Sequence, residues 1–162
     1  METGELVLQT ESVVQTQSLG ARLARWLSPG DVLALVGDLG AGKTAFTQGL
    51  ARGLGITAPV TSPTFTLINE YRTATGKLLQ HVDCYRAADA PLEMWDAGLS
   101  DLLAGEDIVV IEWADRIPGL LPVDFIEITF DYMDEDRRRL RFLALGERYV
   151  NVLRHLDGQP VR

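Results

Sequence analysis

The feature that most constrains this chain is a glycine-rich stretch at residues 37–44. Its sequence, GDLGAGKT, fits the phosphate-binding P-loop pattern G-x-x-x-x-G-K-[ST]. Residues 31–36 before it, DVLALV, predict a buried strand, and residues 45–54 after it predict a helix. A strand, a glycine-rich loop and a helix in this order are the context that a working P-loop requires. The chain is therefore expected to bind a nucleoside triphosphate.

The residue types in this loop match the chemistry of phosphate binding. Glycine allows a tight turn and lets backbone N–H groups approach phosphate oxygens, and the start of the next helix adds a partial positive charge. In this pattern Lys43 reaches the β- and γ-phosphates, and the Thr44 hydroxyl ligates Mg²⁺. The cofactors expected are a nucleoside triphosphate and Mg²⁺. The loop residues expected to bind the nucleotide are Asp38, Leu39, Gly40, Ala41, Gly42, Lys43 and Thr44.

Charge and cysteine content narrow the class of protein. The chain has 162 residues, which predicts one domain over residues 1–162. Its net charge of −8 opposes a broad nucleic-acid-binding surface. A basic run at residues 137–141 lies beside acids, which favours a solvated strand or turn over nucleic-acid contact. The single cysteine, Cys84, fits a reducing cytoplasm, and neither a membrane span nor a secretory signal is visible. We therefore expect a cytoplasmic protein without a membrane or DNA partner.

The remaining segments alternate between predicted strands and helices. Strands are predicted at residues 6–9, 65–71, 77–83, 107–113, 125–130 and 140–145. Helices are predicted at residues 12–27, with Ser12 as the N-cap, and at 91–103 and 149–156. A turn at residues 73–76 predicts a hairpin, and a polar turn joins the last two strands. The predicted fold is an α/β P-loop NTPase-type mixed sheet, parallel around the loop, with helices on both faces.

Two acids follow predicted strands and are candidates for the chemistry. Glu112 ends an apolar run at residues 108–111, which is the Walker-B pattern, and Asp83 ends another strand. Parallel strands end at the same ligand-binding edge of a sheet, so both carboxylates are expected beside the P-loop. Glu112 is predicted to be a Mg²⁺ partner, and Asp83 to face Mg²⁺ or to orient the attacking water. The alternatives are a surface acid at a strand end and a turn cap, respectively.

Several other side chains have two interpretations. His81 lies on the same strand face as Asp83 and is either a buried, hydrogen-bonded residue or a catalytic one. Hydroxyls at residues 61, 62 and 64 either read the γ-phosphate, as a switch segment does, or form a Ser-Pro turn. Trp113 either stacks near the site or packs in the core. With two histidines and no metal-ligand spacing, a zinc site is not expected.

Four segments taken together resemble one protein family. They are the P-loop at 37–44, SPTF at 62–65, HVDCYR at 81–86 and IEW at 111–113. In this order and spacing they are similar to the TsaE family, bacterial P-loop ATPases of tRNA threonylcarbamoyladenosine (t6A) biosynthesis. The resemblance spans about residues 12–142.

The resemblance implies an ATP-binding and ATP-hydrolysing subunit that acts with the proteins TsaB and TsaD. TsaD transfers the threonylcarbamoyl group to adenosine 37 of tRNAs that read codons beginning with A, and ATP hydrolysis supports repeated turnover of the complex. Contact with tRNA is then indirect, through the complex. The residues to which the resemblance assigns roles are Lys43, Thr44, Thr64, Asp83, Glu112 and Arg137. Arg137 is expected to approach the nucleotide, and Thr64 lies in the switch-like segment.

Two other functions remain open at this point. The first is a nucleotide-gated binding module with little intrinsic turnover, since the P-loop and Mg²⁺ ligands suffice for binding. The second is a small P-loop kinase, although no lid insertion is visible after Glu112. A GTPase would commonly carry an N-K-x-D loop to select guanine, and the chain has none.

Overall fold

The computed structural model describes residues 1–63, 67–85 and 92–158. Within these ranges seven strands form one sheet with four helices packed against it. The strands are β1 Thr3–Thr10, β2 Val32–Gly37, β3 Ile68–Arg72, β4 Leu78–Asp83, β5 Ile108–Glu112, β6 Phe125–Tyr132 and β7 Arg138–Leu145. The helices are α1 Val13–Ala24, α2 Lys43–Gly53, α3 Leu92–Ala104 and α4 Glu147–Asp157.

The sheet is mixed, with parallel strands at its centre. The strand order is β1-β7-β6-β2-β5-β4-β3. Strands β6, β2, β5 and β4 run parallel, whereas β7, β1 and β3 are paired antiparallel at the two sides. All five residues of β5 are buried, as expected for a strand covered on both faces. The carboxyl ends of β2, β4 and β5 therefore lie together at one edge.

Hydrophobic residues on both sides of the sheet explain why helices cover both faces. On β2, Leu33 and Leu35 point to a cluster that includes residues of α1, α2 and α4. Val32 and Ala34, which alternate with them, point to a second cluster that includes Leu99 of α3. Strand side chains alternate between faces with a period of two, so an uninterrupted apolar strand supplies both clusters. The predicted fold class is confirmed.

Most predicted elements occur, with boundaries that shift for identifiable reasons. The Ser12 hydroxyl caps α1 by accepting from the Gln15 backbone N–H at 3.1 Å, as predicted. The helix predicted to reach residue 27 ends at Ala24, where 3₁₀-type bonds such as Trp26 N–H to Leu23 O replace the α-helical ones. The first strand is longer than predicted because it pairs with β7 along its whole length. Both hairpins are confirmed, although the predicted strand start at residue 65 lies outside the described residues.

None of the helices in the described part of the chain combines the length and the apolarity that crossing a bilayer requires.

Candidate nucleotide-binding site

The P-loop occupies the turn between the end of β2 and the start of α2. Gly40 and Gly42 have φ angles of +79° and +107°, which residues with a Cβ rarely adopt. At Gly37 a Cβ would lie 2.8 Å from the Phe130 carbonyl oxygen, so a larger residue would push the loop away from β6. The bare backbone therefore leads directly into the N-terminus of α2, whose free N–H groups suit an anion.

A cavity of about 550 Å³ opens at the carboxyl edge of the sheet beside this loop. Seven of the residues expected at the site line it: Leu39, Gly40, Gly42, Lys43, Thr44, Asp83 and Glu112. Asp38 and Ala41 belong to the loop but are not among the lining residues. The cavity thus brings the P-loop and both strand-end acids together.

Lys43 is buried beneath the loop, with 5% of its surface exposed. Its Nζ donates to the carbonyl oxygens of Gly37 at 2.5 Å and Asp38 at 2.9 Å. The same atom lies 4.1 Å from the centre of the Trp113 ring, which is a cation–π contact. Burial lowers the pKa of Lys43, while the negative charges around it, led by Glu112, oppose that shift. The described structure therefore holds this ammonium with backbone carbonyls and an aromatic face.

Glu112 lies at the end of β5, almost completely buried. Its Oε2 is 2.5 Å from Nε2 of His81. Its Oε1 faces the Thr44 hydroxyl at 3.4 Å, and the Ser62 hydroxyl lies 3.4 Å from Oε2. Both hydroxyl contacts are longer than the roughly 2.5–3.0 Å of an ordinary O–H···O bond. The carboxylate is thus fixed on one side by His81 and only loosely held on the side facing the P-loop.

Asp83 lies next to Glu112 because β4 and β5 are parallel with these two residues in register. Its Oδ1 accepts from the Tyr85 backbone N–H at 2.8 Å, and its Oδ2 lies 3.5 Å from the Ser62 hydroxyl. Burial raises the pKa of the Asp83 carboxyl, and the Glu112 charge adds to the shift, while the Tyr85 N–H bond opposes it. Two neighbouring buried acids, one with a raised pKa, are typical of functional sites.

The oxygen ligands at this edge fit Mg²⁺ held together with a triphosphate. Thr44 and Glu112 supply a hydroxyl and a carboxylate, the hard oxygen ligands that this ion prefers. The described residues contain no group of three or more His, Cys, Asp or Glu side chains placed to hold a metal. Mg²⁺ commonly binds through one or two carboxylates, phosphate oxygens and waters, so a small protein ligand set suits it.

Comparisons with known proteins agree with this geometry. The family model described as "Threonylcarbamoyl adenosine biosynthesis protein TsaE" matches residues 10–140. The chain belongs to the TsaE family. It is 42% identical over 153 residues to the tRNA threonylcarbamoyladenosine biosynthesis protein TsaE of Bacillus subtilis, covering 94% of each chain. It is 44% identical over 130 residues to the Nostoc protein of the same name, covering 76% of each.

A solved structure also matches the fold of this TsaE-family chain. The crystal structure of Bacillus subtilis YdiB superposes with a TM-score of 0.82 and 35% sequence identity. The match covers 97% of both chains, so the seven-stranded sheet and the helices around it are shared almost completely.

Among the residues that the TsaE resemblance assigns to the nucleotide, Arg137 does not line the cavity. It lies in the turn between β6 and β7, where its Nε donates to Asp134 at 2.6 Å and its side chain is 47% exposed. The next residue, Arg138, lines the cavity and donates to the Gly40 carbonyl oxygen at 3.2 Å. Strand alternation explains this placement: Arg138 shares a face of β7 with Leu140, which packs in the cluster beside α2.

Other expectations have mixed outcomes. Thr64 lies outside the described residues. His81 is buried, hydrogen-bonded to Glu112 and absent from the cavity lining, which agrees with the first of its two interpretations.

Trp113 lines the cavity in a left-handed conformation, φ +59°, with its ring centre 4.9 Å from that of Tyr85. The basic run spans the turn and the start of β7, where Arg137, Arg139 and Arg141 are exposed, and Arg141 pairs with Asp131 on β6 at 3.4 Å.

Val13, Leu67, Tyr85 and Arg138 line the cavity although they were not predicted as site residues. Val13 and Leu67 are apolar residues at element ends, which normally belong to a core. Tyr85 could have been found from its position two residues after Asp83, since the same chain segment leaves the strand at the ligand edge. Arg138 required the register of β7, which three consecutive arginines conceal.

Proposed function

We propose that this chain binds Mg²⁺-ATP in the cavity at the P-loop and hydrolyses it, as a subunit of the machinery that makes t6A in tRNA. The observation that supports this proposal is the arrangement across one cavity of Lys43 and Thr44 on one side and the paired carboxylates Asp83 and Glu112 on the other. A P-loop alone binds phosphate, and the two acids add what hydrolysis requires.

Each residue has a distinct part in this proposal. Backbone N–H groups at the start of α2 and the ammonium of Lys43 bind the phosphates. Thr44 and Glu112 hold the metal, which when bound neutralises charge on the β- and γ-phosphate oxygens. Asp83 is suited to orient the attacking water and to accept its proton, because burial raises the pKa of its carboxyl and makes it a stronger base than an exposed aspartate. Arg138 lines the cavity and donates to the Gly40 carbonyl oxygen, and in this proposal its guanidinium contacts the nucleotide.

The role in t6A biosynthesis follows from family membership. The relatives that match over most of the chain carry the name tRNA threonylcarbamoyladenosine biosynthesis protein TsaE. We propose that TsaB and TsaD are the partners, and that ATP hydrolysis here supports repeated turnover of the transfer reaction, which takes place on TsaD. The net charge of −8 favours contact with tRNA through the complex rather than by this chain alone.

A second candidate is a nucleotide-gated binding module with little turnover of its own. The observation that favours it is the looseness of the hydroxyl–carboxylate contacts, 3.4–3.5 Å, around Glu112 and Asp83. Such a site would need a partner to draw Ser62 and Thr44 into catalytic geometry. The two candidates differ in whether phosphate is released, and one assay separates them.

The test is phosphate release from ATP by the chain alone and with TsaB and TsaD. We expect the partners to stimulate release, and Lys43→Ala to reduce it by at least about 100-fold, in the range seen for losing one preorganised charge-stabilising group. The matched control is Lys77→Ala, which removes a surface lysine paired with Glu106. ATP binding without release in any mixture would favour the binding module. No stimulation and no effect of Lys43→Ala would contradict the proposal.

The t6A role is tested separately in cells. Depletion of the protein should lower t6A in bulk tRNA, measured by nucleoside mass spectrometry. Expression of the wild-type chain or of Lys77→Ala should restore it, whereas Lys43→Ala should not. Unchanged t6A after depletion, in cells with no second copy, would rule out this role.

A further inference from the structure

His81 is a fully buried polar residue whose neighbours across the parallel strands are apolar, while on its other side it pairs with Asn69 of β3. Across the parallel strands, the register places it beside Val110, then Leu33, then Ile126. These three neighbours are completely buried members of the cluster beneath α1 and α2. Burying an imidazole among them is costly unless its nitrogen atoms are hydrogen-bonded. A leucine at this position would pack without that cost, so the histidine needs another explanation.

The hydrogen bonding of His81 supplies one. Its Nε2 lies 2.5 Å from Oε2 of Glu112, whose side chain is reached diagonally on the neighbouring strand. An ionised carboxylate only accepts hydrogen bonds, so Nε2 carries the hydrogen and donates. Within the described residues Nδ1 of the ring is buried without a partner. The contact with Glu112 is thus what compensates for burying this ring.

This contact determines where the other oxygen of Glu112 points. A glutamate side chain has three rotatable bonds and does not hold one orientation by itself. With Oε2 held from below by the buried imidazole, Oε1 faces the Thr44 hydroxyl at 3.4 Å, on the cavity side. His81 itself does not line the cavity, so it reaches a bound nucleotide only through Glu112.

We propose that His81 is a positioning residue that fixes Glu112 in the orientation that binds the metal. The inference rests on the proposed function, because it assumes that Glu112 holds Mg²⁺. Side chains that hold a metal ligand in place commonly affect metal affinity or activity by about 10–100-fold when they are changed. The effect should therefore be on Mg²⁺ and not on the nucleotide itself.

The test compares His81→Asn with His81→Gln. Both replace the ring with an amide, but only the longer glutamine side chain places its nitrogen where Nε2 of the histidine lies. The affinity of a fluorescent ATP analogue is measured by titration, once with Mg²⁺ and once with EDTA. We expect His81→Asn to reduce the Mg²⁺-dependent gain in affinity by about 10-fold or more. The affinity in EDTA should change by less than about 2-fold, and His81→Gln should recover most of the gain.

A further control is Ile126→Val, a small change in the same buried row that does not touch Glu112. It should leave the Mg²⁺-dependent gain unchanged. Thermal unfolding of every variant shows whether the fold is kept. Equal loss in His81→Asn and His81→Gln, or equal loss of affinity with and without Mg²⁺, would overturn the inference by indicating a structural role. If the wild-type chain shows no Mg²⁺-dependent gain at all, the proposed function fails as well.

Discussion

Buried carboxylates lie at both ends of the parallel strands, and the two ends differ in how completely the chain supplies hydrogen-bond partners to them. Asp31, just before β2, is 3% exposed. It accepts from the Ser28 backbone N–H at 2.7 Å and from the Arg148 guanidinium at 2.8 and 2.5 Å, one bond to each oxygen. Beside it, the Tyr149 hydroxyl accepts from the Val32 N–H at 3.0 Å. We call these residues the Asp31 cluster.

At the other end, Asp83 and Glu112 are buried to a similar degree without a comparable cation. The hydroxyls that face the cavity side of these carboxylates lie 3.4–3.5 Å away, and the nearby ammonium of Lys43 is bonded to carbonyls. Burial alone therefore does not distinguish the acids at the two ends. The distinguishing property is that the hydrogen-bonding capacity of Asp83 and Glu112 is left incomplete. A buried charge without a full set of partners lowers stability. The comparison predicts opposite effects of mutation at the two ends.

The largest effect on stability is expected when the Asp31 cluster loses its cation. Arg148→Met keeps the aliphatic stem but leaves Asp31 buried without its bidentate partner. Asp31 is buried but the Arg148 side chain is 47% exposed, so solvent offsets part of the cost of breaking a fully buried pair, and the free energy of unfolding should fall by about 2 kcal/mol. Urea denaturation measures it. The control, Arg154→Met, breaks an exposed pair with Glu2 and should cost less than about 1 kcal/mol. A loss of the same size in both variants would contradict the comparison.

A smaller effect is expected from the tyrosine of the same cluster. Tyr149→Phe removes the hydroxyl that accepts from the Val32 N–H, which is then buried without a partner. An unsatisfied buried donor costs about 1–3 kcal/mol, so we expect a loss of about 1.5 kcal/mol in the same urea assay. Tyr132→Phe is the matched control, since Tyr132 is 57% exposed. The burial that raises the pKa of the Tyr149 phenol to about 12 should also keep this residue un-ionised up to pH 10 in the wild-type chain.

The two ends also differ in how far the sequence predicted them. The end at the cavity was predictable because its residues follow general patterns: a glycine-rich loop, an apolar strand run and acids at strand ends. The pairing of Asp83 with Glu112 followed from the rule that parallel strands end at one edge. The Asp31 cluster was not predicted, because Arg148 lies 117 residues further along the chain and no local pattern links the two. Such contacts depend on how α4 packs against the start of β2.

Where prediction at the cavity end fell short, the cause was the unknown register of the strands. The choice between Arg137 and Arg138 depends on which of them faces α2 from β7, and consecutive arginines give no periodicity from which to read it. The interpretation of His81 stayed open for a related reason. Its position two residues before Asp83 showed that the two side chains share one face of β4. Its partner on β5 could be identified only from the pairing of the strands.

The smallest effect, with the opposite sign, is expected at the incomplete end. Asp83→Asn keeps an oxygen that can accept from the Tyr85 N–H, and it removes a negative charge beside Glu112. The variant should raise the free energy of unfolding at pH 7 by about 0.5 kcal/mol, at the lower end of gains from relieving an unfavourable functional charge. ATP hydrolysis by the proposed mechanism should fall in the same variant, so stability and activity should change in opposite directions.

The pH dependence of this gain tests its cause. Because the pKa of Asp83 is raised in the folded protein, the folded state binds a proton at Asp83 more readily than the unfolded state does. Ionisation therefore disfavours folding above the folded-state pKa, and this penalty disappears as pH falls to the ordinary aspartate pKa of about 4. The advantage of Asp83→Asn over the wild-type chain should be full at pH 7 and shrink toward zero near pH 4, measured by urea denaturation across that range. An advantage that stays constant with pH would show that it comes from packing or hydrogen bonding, and Asp83 would then resemble Asp31 as a satisfied structural acid.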